Sequence, residues 1–210
     1  MQLSEKQMSE LCHVVMQTMI ENGLKGTTMD LVAARLRISK RTLYEIFESK
    51  IDMLTAALNH VSREKTRAFE TIIDNADNIL KAILTIFDMH QQYLDSLNVN
   101  FFKDMDRLYS MMRHQYDSQR ELREEYTGKI FMMGVEQGYF RHDINYKILY
   151  RTFEIQMESL KRMEELFPAD TSLVDIYKTI TRTFLRGIVT PKGQEVLDRH
   201  YADEKINNNI

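Results

Sequence analysis

The chain is short of the residues that interrupt helices. Of its 210 residues only seven are glycine and two are proline, and both prolines fall late, at Pro168 and Pro191. So little punctuation lets helices run long, and an all-α fold is expected. Cysteine is scarcer still: the single Cys12 excludes an internal disulfide and fits a reducing compartment. No apolar run approaches the roughly 18 residues needed to span a bilayer, and no basic stretch followed by an apolar core opens the chain. A cytoplasmic protein without membrane partner or signal peptide is therefore expected. The sequence also lacks a serine elbow, a P-loop and a dinucleotide fingerprint. His13, His60, His90, His114, His142 and His200 are scattered without metal-ligand spacing. Glu10-Leu11-Cys12-His13 offers one Glu-x-x-His pair where a di-iron bundle needs two. These absences argue against an enzyme, a metal or a cofactor.

What is present is the balance of an ordinary globular protein, 43% hydrophobic and 28% charged, with a formal net charge of −3. That charge is unevenly spread. Residues 1–66 hold nine Lys/Arg against eight Asp/Glu, and residues 35–41 carry Arg35, Arg37, Lys40 and Arg41 with no acid among them. Such a patch is either a solvated helix face or the footprint of a nucleic-acid partner.

The spacing of apolar and capping residues gives the organisation. Met8, Leu11, Cys12, Val15 and Met19 predict a helix over 4–21, stopped by Asn22-Gly23. Thr27 and Asp30 have the form of a capping box for a short second helix. Ser39 reads as the N-cap of a third, 40–47, and Ser49 with Asp52 opens a long fourth. Two short helices three residues apart, then a long one, is the layout of a helix-turn-helix with a connecting helix. Beyond it, helices are predicted over about 76–97, 99–109, 115–138, 146–167 and 172–189, with disorder only at Asn207, Asn208 and Asn209.

Residues 8–58 resemble the DNA-binding module of the tetracycline-repressor (TetR/AcrR) family. The likeness lies in Gly23-Leu24-Lys25-Gly26-Thr27-Thr28-Met29-Asp30-Leu31-Val32-Ala33, in Ile38-Ser39-Lys40-Arg41-Thr42-Leu43-Tyr44-Glu45-Ile46-Phe47, and in Ser49-Lys50 with Leu54. A later string, Val135 to Phe140, is similar to a turn late in that family's body. The resemblance implies a helix-turn-helix domain over 1–48 and a helical effector-binding and dimerisation domain over 49–210, about nine helices in all. It implies a ligand-responsive repressor acting as a homodimer on a pseudo-palindromic operator in double-stranded DNA.

Two positions depart from the family. Arg37 stands where a glycine is usual in the turn, at a cost of roughly 1 kcal/mol if its φ is positive. Glu45 stands where an aromatic residue is common, and an acid there either repels phosphate or accepts from a cytosine.

The N-terminus of a recognition helix enters the major groove, which puts Lys40, Arg41 and Thr42 against base edges or, alternatively, phosphates. Arg41 suits guanine and Thr42 a thymine methyl. Ser39 caps the helix, Tyr44 sets its hydroxyl on a phosphate or is purely structural, and Arg37 reaches a phosphate or nothing. Thr28 and Lys50, at two further helix starts, address the backbone from either side. Leu43, Ile46 and Phe47 form the buried side.

The body is rich in methionine, which suits adaptable pockets. Phe87, His90, Tyr93, Phe101, Phe102, Met105, Tyr116 and Met133 are candidates to line a cavity for a small apolar or amphipathic effector, or else are core. Phe153, Met157, Leu160, Ile176, Ile180 and Phe184 are candidates for half of a four-helix bundle across a two-fold axis, or else are buried within one subunit. A helical protein–protein interaction module without DNA binding is the other reading, and it leaves the string from Lys40 to Lys50 unexplained.

Overall fold

The computed structural model describes residues 3–95, 104, 107, 108, 120–168 and 170–207. The architecture is all-α and falls into two compact units, Met1–Glu70 with Leu97–Arg113, and Thr71–Ser96 with His114–Ile210. Among the described residues no helix is long and apolar enough to cross a membrane.

In the first unit α1 (Glu5–Gly26) starts at a capping box: Ser4 Oγ accepts the Gln7 amide while Gln7 Oε1 accepts that of Ser4. The helix breaks where Asn22-Gly23 predicts, Gly23 taking φ 70°. Helix α2 (Met29–Leu36) is capped by Thr28, whose hydroxyl accepts the Leu31 amide, one residue later than the sequence pattern suggests. Thr27 instead turns back and donates to Gly23 O at 2.8 Å, closing α1. Helix α3 (Lys40–Ile46) begins at Ser39 as expected. Helix α4 (Lys50–Asn75) follows with Ser49 Oγ accepting the Asp52 amide. The Asp52 carboxylate accepts from Glu48 N, one residue ahead of a reciprocal capping box.

Each helix turns one stripe inward. Val15, Met19, Val32, Leu43, Met53, Leu54 and Ala57 are fully buried together. The first two turns of α4 thus complete the core of the three-helix module, and the compact unit extends past residue 48. Burying side chains of this size stabilises by roughly 1.5–3 kcal/mol each.

The second unit contains α5 (Ile79–Asp95), α6 (Arg120–Glu136), α7 (Tyr146–Ser159), a 3₁₀ turn (Leu160–Arg162), α8 (Met163–Leu166), α9 (Leu173–Ile188) and α10 (Pro191–Asn207). The helix expected over 146–167 is therefore broken at Leu160. Helix α9 packs on α5 and α7. Its stripe of Leu173, Ile176, Tyr177, Leu185 and Ile188 is buried, as are Ile79, Leu80, Ile83 and Leu84 of α5. Rings link these helices: Phe87 stacks on Phe153 at 5.9 Å, and Phe153 meets Phe184 at 4.4 Å. Phe184 in turn meets Phe131 at 6.0 Å.

The turn after α6 carries Gly138 at φ 76° and buries Phe140 against Gly134, where a Cβ would stand 2.0 Å from the ring. Its backbone pairs with the end of α9, Arg141 N donating to Ile188 O and Thr190 N to Tyr139 O. Helix α10 was not foreseen. Pro191 occupies its first position, where the missing N–H costs nothing, and fully buried Leu197 anchors it. It carries helix as far as Asn207 in the tail expected to be disordered; Asn208 and Asn209 lie outside the described residues.

Candidate nucleic-acid interface

The short helix α3 is fixed from behind. Leu43 is fully buried and Phe47 nearly so, while Ile46 and Ile38 pack against the same core. The opposite face of the helix therefore points out: Lys40, Arg41, Tyr44 and Glu45 are all exposed. Arg41 is the most open, with 89% of its side chain accessible. Tyr44 is 47% exposed and so is not a core tyrosine.

Ser39 Oγ accepts the Thr42 amide at 3.0 Å and lies 2.8 Å from the Thr42 hydroxyl, so the cap also orients Thr42. Arg37 closes α2 in the left-handed region, φ 56° and ψ 37°, its amide donating to Ala33 O and Ala34 O. The residue is exposed. Thr28, also exposed, spends its hydroxyl on the α2 cap.

The cations of this surface carry acids of their own. Lys40 Nζ donates to Asp30 at 2.8 Å, and this hydrogen bond holds its pKa above the ordinary lysine range. Arg41 pairs with Glu45 at 3.2 Å one turn along α3. Arg35 reaches back to Glu21 on α1. The sequence did not show Asp30 and Glu21 as partners of these cations, because each pair joins two different helices.

Lys50 is placed differently from the backbone-facing role that the resemblance implies. Its ammonium donates inward to Leu24 O at 2.5 Å and Lys25 O at 3.4 Å. Burial lowers its pKa, partly offset by the charge of Asp104. Asp104 accepts the Leu24 amide at 2.5 Å, and no sequence signal connected it to the module.

The remaining candidates divide. Of the proposed cavity residues, Phe101, Phe102, Met105 and Tyr116 lie outside the described residues. Phe87 is a partly buried ring between Phe153 and Tyr177, beside a crevice of about 10 Å³ that holds at most one water. His90 and Tyr93 are half-buried, and desolvation raises the Tyr93 pKa. Met133 is 38% exposed. A larger cleft, about 360 Å³, lies elsewhere, between α6 and α7, lined by Glu124, Glu125, Gly128, Tyr146, Lys147 and Tyr150.

Of the proposed dimer residues, Leu160 and Ile176 are buried within the second unit itself. Phe153 and Phe184 meet with their rings tilted at 42°, and Met157 and Ile180 are half-buried. The inward stripe of α9 is used within the subunit because α5 and α7 lie on it. The open apolar residues of α7 are instead Ile148, 64% exposed, and Ile155, 56% exposed.

Residues 14–57 match the family described as bacterial regulatory proteins, tetR family. The HTH-type transcriptional repressor KstR2 of Mycobacterium tuberculosis is 26% identical over 147 residues, spanning 68% of this chain and 73% of that protein. The solved structure of KstR2, a ketosteroid transcriptional regulator, has a TM-score of 0.54 at 21% identity, covering 90% of this chain and 97% of that one. The regulatory protein TetR from Rhodobacter sphaeroides gives a TM-score of 0.65 at 18% identity over 85% and 97% of the two chains. FadR from Bacillus halodurans, a fatty acid degradation regulator, gives 0.64 at 14% over 88% and 97%. These structures share the fold, while the match over α1 to α4 falls on the very helices that carry the exposed cations. Residues 14–57 are thus a helix-turn-helix module of the bacterial tetR family of regulatory proteins, carried on a body that shares the fold of solved transcriptional regulators of that family.

Proposed function

We propose that the protein is a ligand-responsive repressor that reads a pseudo-palindromic operator as a homodimer. One observation carries the reading: α3 is anchored by Leu43 and Phe47 while Lys40, Arg41 and Tyr44 stand outward from a capped N-terminus. In this reading Arg41 addresses a base edge, and Lys40, Arg37 and Tyr44 address phosphates. Thr42 meets a base or its methyl, and Thr28 presents the α2 amides to the DNA backbone. Ser39 keeps α3 capped. Lys50 acts on the turn behind the interface, since its ammonium is already engaged there.

A single module buries too little DNA for useful specificity, so a second copy is required. The face of α7 bearing Ile148 and Ile155, seven residues apart, suits that second copy, because two exposed isoleucines at heptad spacing form a seam that another helix covers. Relatives named for ketosteroid and fatty acid regulation support an apolar or amphipathic effector.

The test is a gel shift with the DNA upstream of the protein's own gene. The wild type should give a shift that Lys40→Glu with Arg41→Glu abolishes. A shift unchanged by that double reversal would reject α3 as the reading element. Light scattering should give twice the chain mass for wild type and a single mass for Ile148→Glu with Ile155→Glu.

A further inference from the structure

We infer that Asp104 is a positioning residue of the DNA interface, holding the turn between α1 and α2 from a stretch of chain 80 residues further on. The inference rests on the DNA-binding reading above. Its basis is a built contact. Asp104 Oδ2 accepts the Leu24 amide at 2.5 Å, and only 13% of the side chain is exposed. On the other side of the same turn, Lys50 Nζ donates to the carbonyls of Leu24 and Lys25. An acid and a base from separate parts of the chain thus grip three backbone groups of two consecutive residues. The charge of Asp104 favours the ionised form of Lys50, against the larger opposing effect of burial.

Gly23 makes the approach possible. It sits at φ +70°, and a Cβ there would lie 2.7 Å from Asp104 Oδ2. Leu108, one turn beyond Asp104, is fully buried in the core that also holds Leu43. Asp104 and Leu108 are therefore both packed into the module.

The turn matters because it sets where α2 begins. Thr27 closes α1 onto Gly23 O, Thr28 caps α2, and α2 packs on α3. A shift of Leu24 is passed to the recognition helix through two rigid helices. The stretch bearing Asp104 is bracketed in the chain by segments of the second unit.

The experiment compares the full chain with Asp104→Ala, Asp104→Asn and Gly23→Ala. Operator affinity is read by fluorescence anisotropy on the upstream duplex at several salt concentrations, and the Leu24 amide by ¹⁵N-labelled NMR. Asp104→Ala should weaken binding about tenfold, the lower end of what a charge-assisted hydrogen bond carries. The salt slope should stay unchanged, because no phosphate contact is lost. The Leu24 amide should move upfield and exchange faster. Asp104→Asn keeps an acceptor oxygen and should recover most of the affinity, while Gly23→Ala, which crowds Asp104 away, should reproduce the loss. Wild-type affinity in Asp104→Ala, or a Leu24 amide indifferent to it, overturns the inference alone. A wild-type chain that binds no upstream duplex overturns the DNA reading and, with it, this role.

Discussion

Arg37→Gly should make the protein more stable although it removes a large side chain and adds none. Arg37 is the one non-glycine residue with positive φ among those described, at φ 56°. For an L-residue with a Cβ that conformation costs roughly 1–2 kcal/mol. Glycine avoids the cost but returns about 0.5–1 kcal/mol through its freer unfolded chain. The net expectation is a gain of about 0.5–1 kcal/mol. For a unit of this size a change of that order raises the melting midpoint by roughly 2–8 °C. The assay is thermal unfolding of the full chain, followed by exposure of the buried thiol of Cys12, which reports on the first unit alone. Arg37→Ala is the control: it removes the charge but keeps the Cβ, and should not gain. If Arg37 also reaches a phosphate, both variants should reduce the salt slope of DNA binding by about 0.9. An Arg37→Gly protein that melts at or below the wild-type temperature would refute the strain argument.

Three further outcomes follow from the packing and the charges. Gly134→Ala should cost about 1–3 kcal/mol by overpacking, since its methyl would strike the Phe140 ring; Phe140→Leu in the same chain should relieve part of the loss. Cys12 is buried and desolvation pushes its pKa up to about 11, so roughly a thousandth is thiolate at pH 8, and folded protein should react with a disulfide reagent at least a hundredfold more slowly than unfolded protein. Burial alone would raise the Glu64 pKa, but the Ser9 hydroxyl and the imidazoles of His13 and His60 hold it below the ordinary carboxylate value. A depressed pKa stabilises above the unfolded value and the benefit is lost as pH falls through the folded one. Glu64→Gln should therefore be less stable than wild type at pH 7, with the gap closing below about pH 4; an equal gap at both ends would show that the charge is not the cause.

Local chemistry made the module legible. The start of α3 could be read from Ser39, and the stop of α1 from Asn22-Gly23, because a cap or a left-handed glycine acts within four residues of itself. The one-residue error at Thr27 and Thr28 has the same origin: two adjacent hydroxyls both fit a cap, and only the closure of α1 onto Thr27 decides between them. Helix α10 escaped because its anchor is tertiary. Leu197 is buried by residues from elsewhere in the second unit, and the sequence around it is polar enough to pass for a tail. The dimer candidates were chosen on periodicity, which finds an apolar stripe without saying what covers it. For Ile176 the cover is the protomer's own core, while the exposed isoleucines of α7 fell outside the selected stripe.

The charge of the interface is the least legible part, for a reason that bears on how it works. Between residues 35 and 41 the sequence has four cations and no acid. In the fold three of them have acids, each from outside that stretch: Glu21 for Arg35, Asp30 for Lys40, Glu45 for Arg41. Counting charge along the chain therefore overstates how bare the patch is. Yet these pairs are open to water, where salt and solvation leave a pair with little net strength. A duplex offers closely spaced phosphates and the release of condensed counterions, a stronger inducement than one solvated carboxylate. In the proposed complex the acids would hold Lys40 and Arg41 in place while the protein is alone and yield them to the duplex. Arg41, with 89% of its side chain exposed, gives up almost no buried contact in the exchange. Lys50 is the contrary case: partly buried, with two backbone carbonyls as acceptors, it would lose both by turning outward.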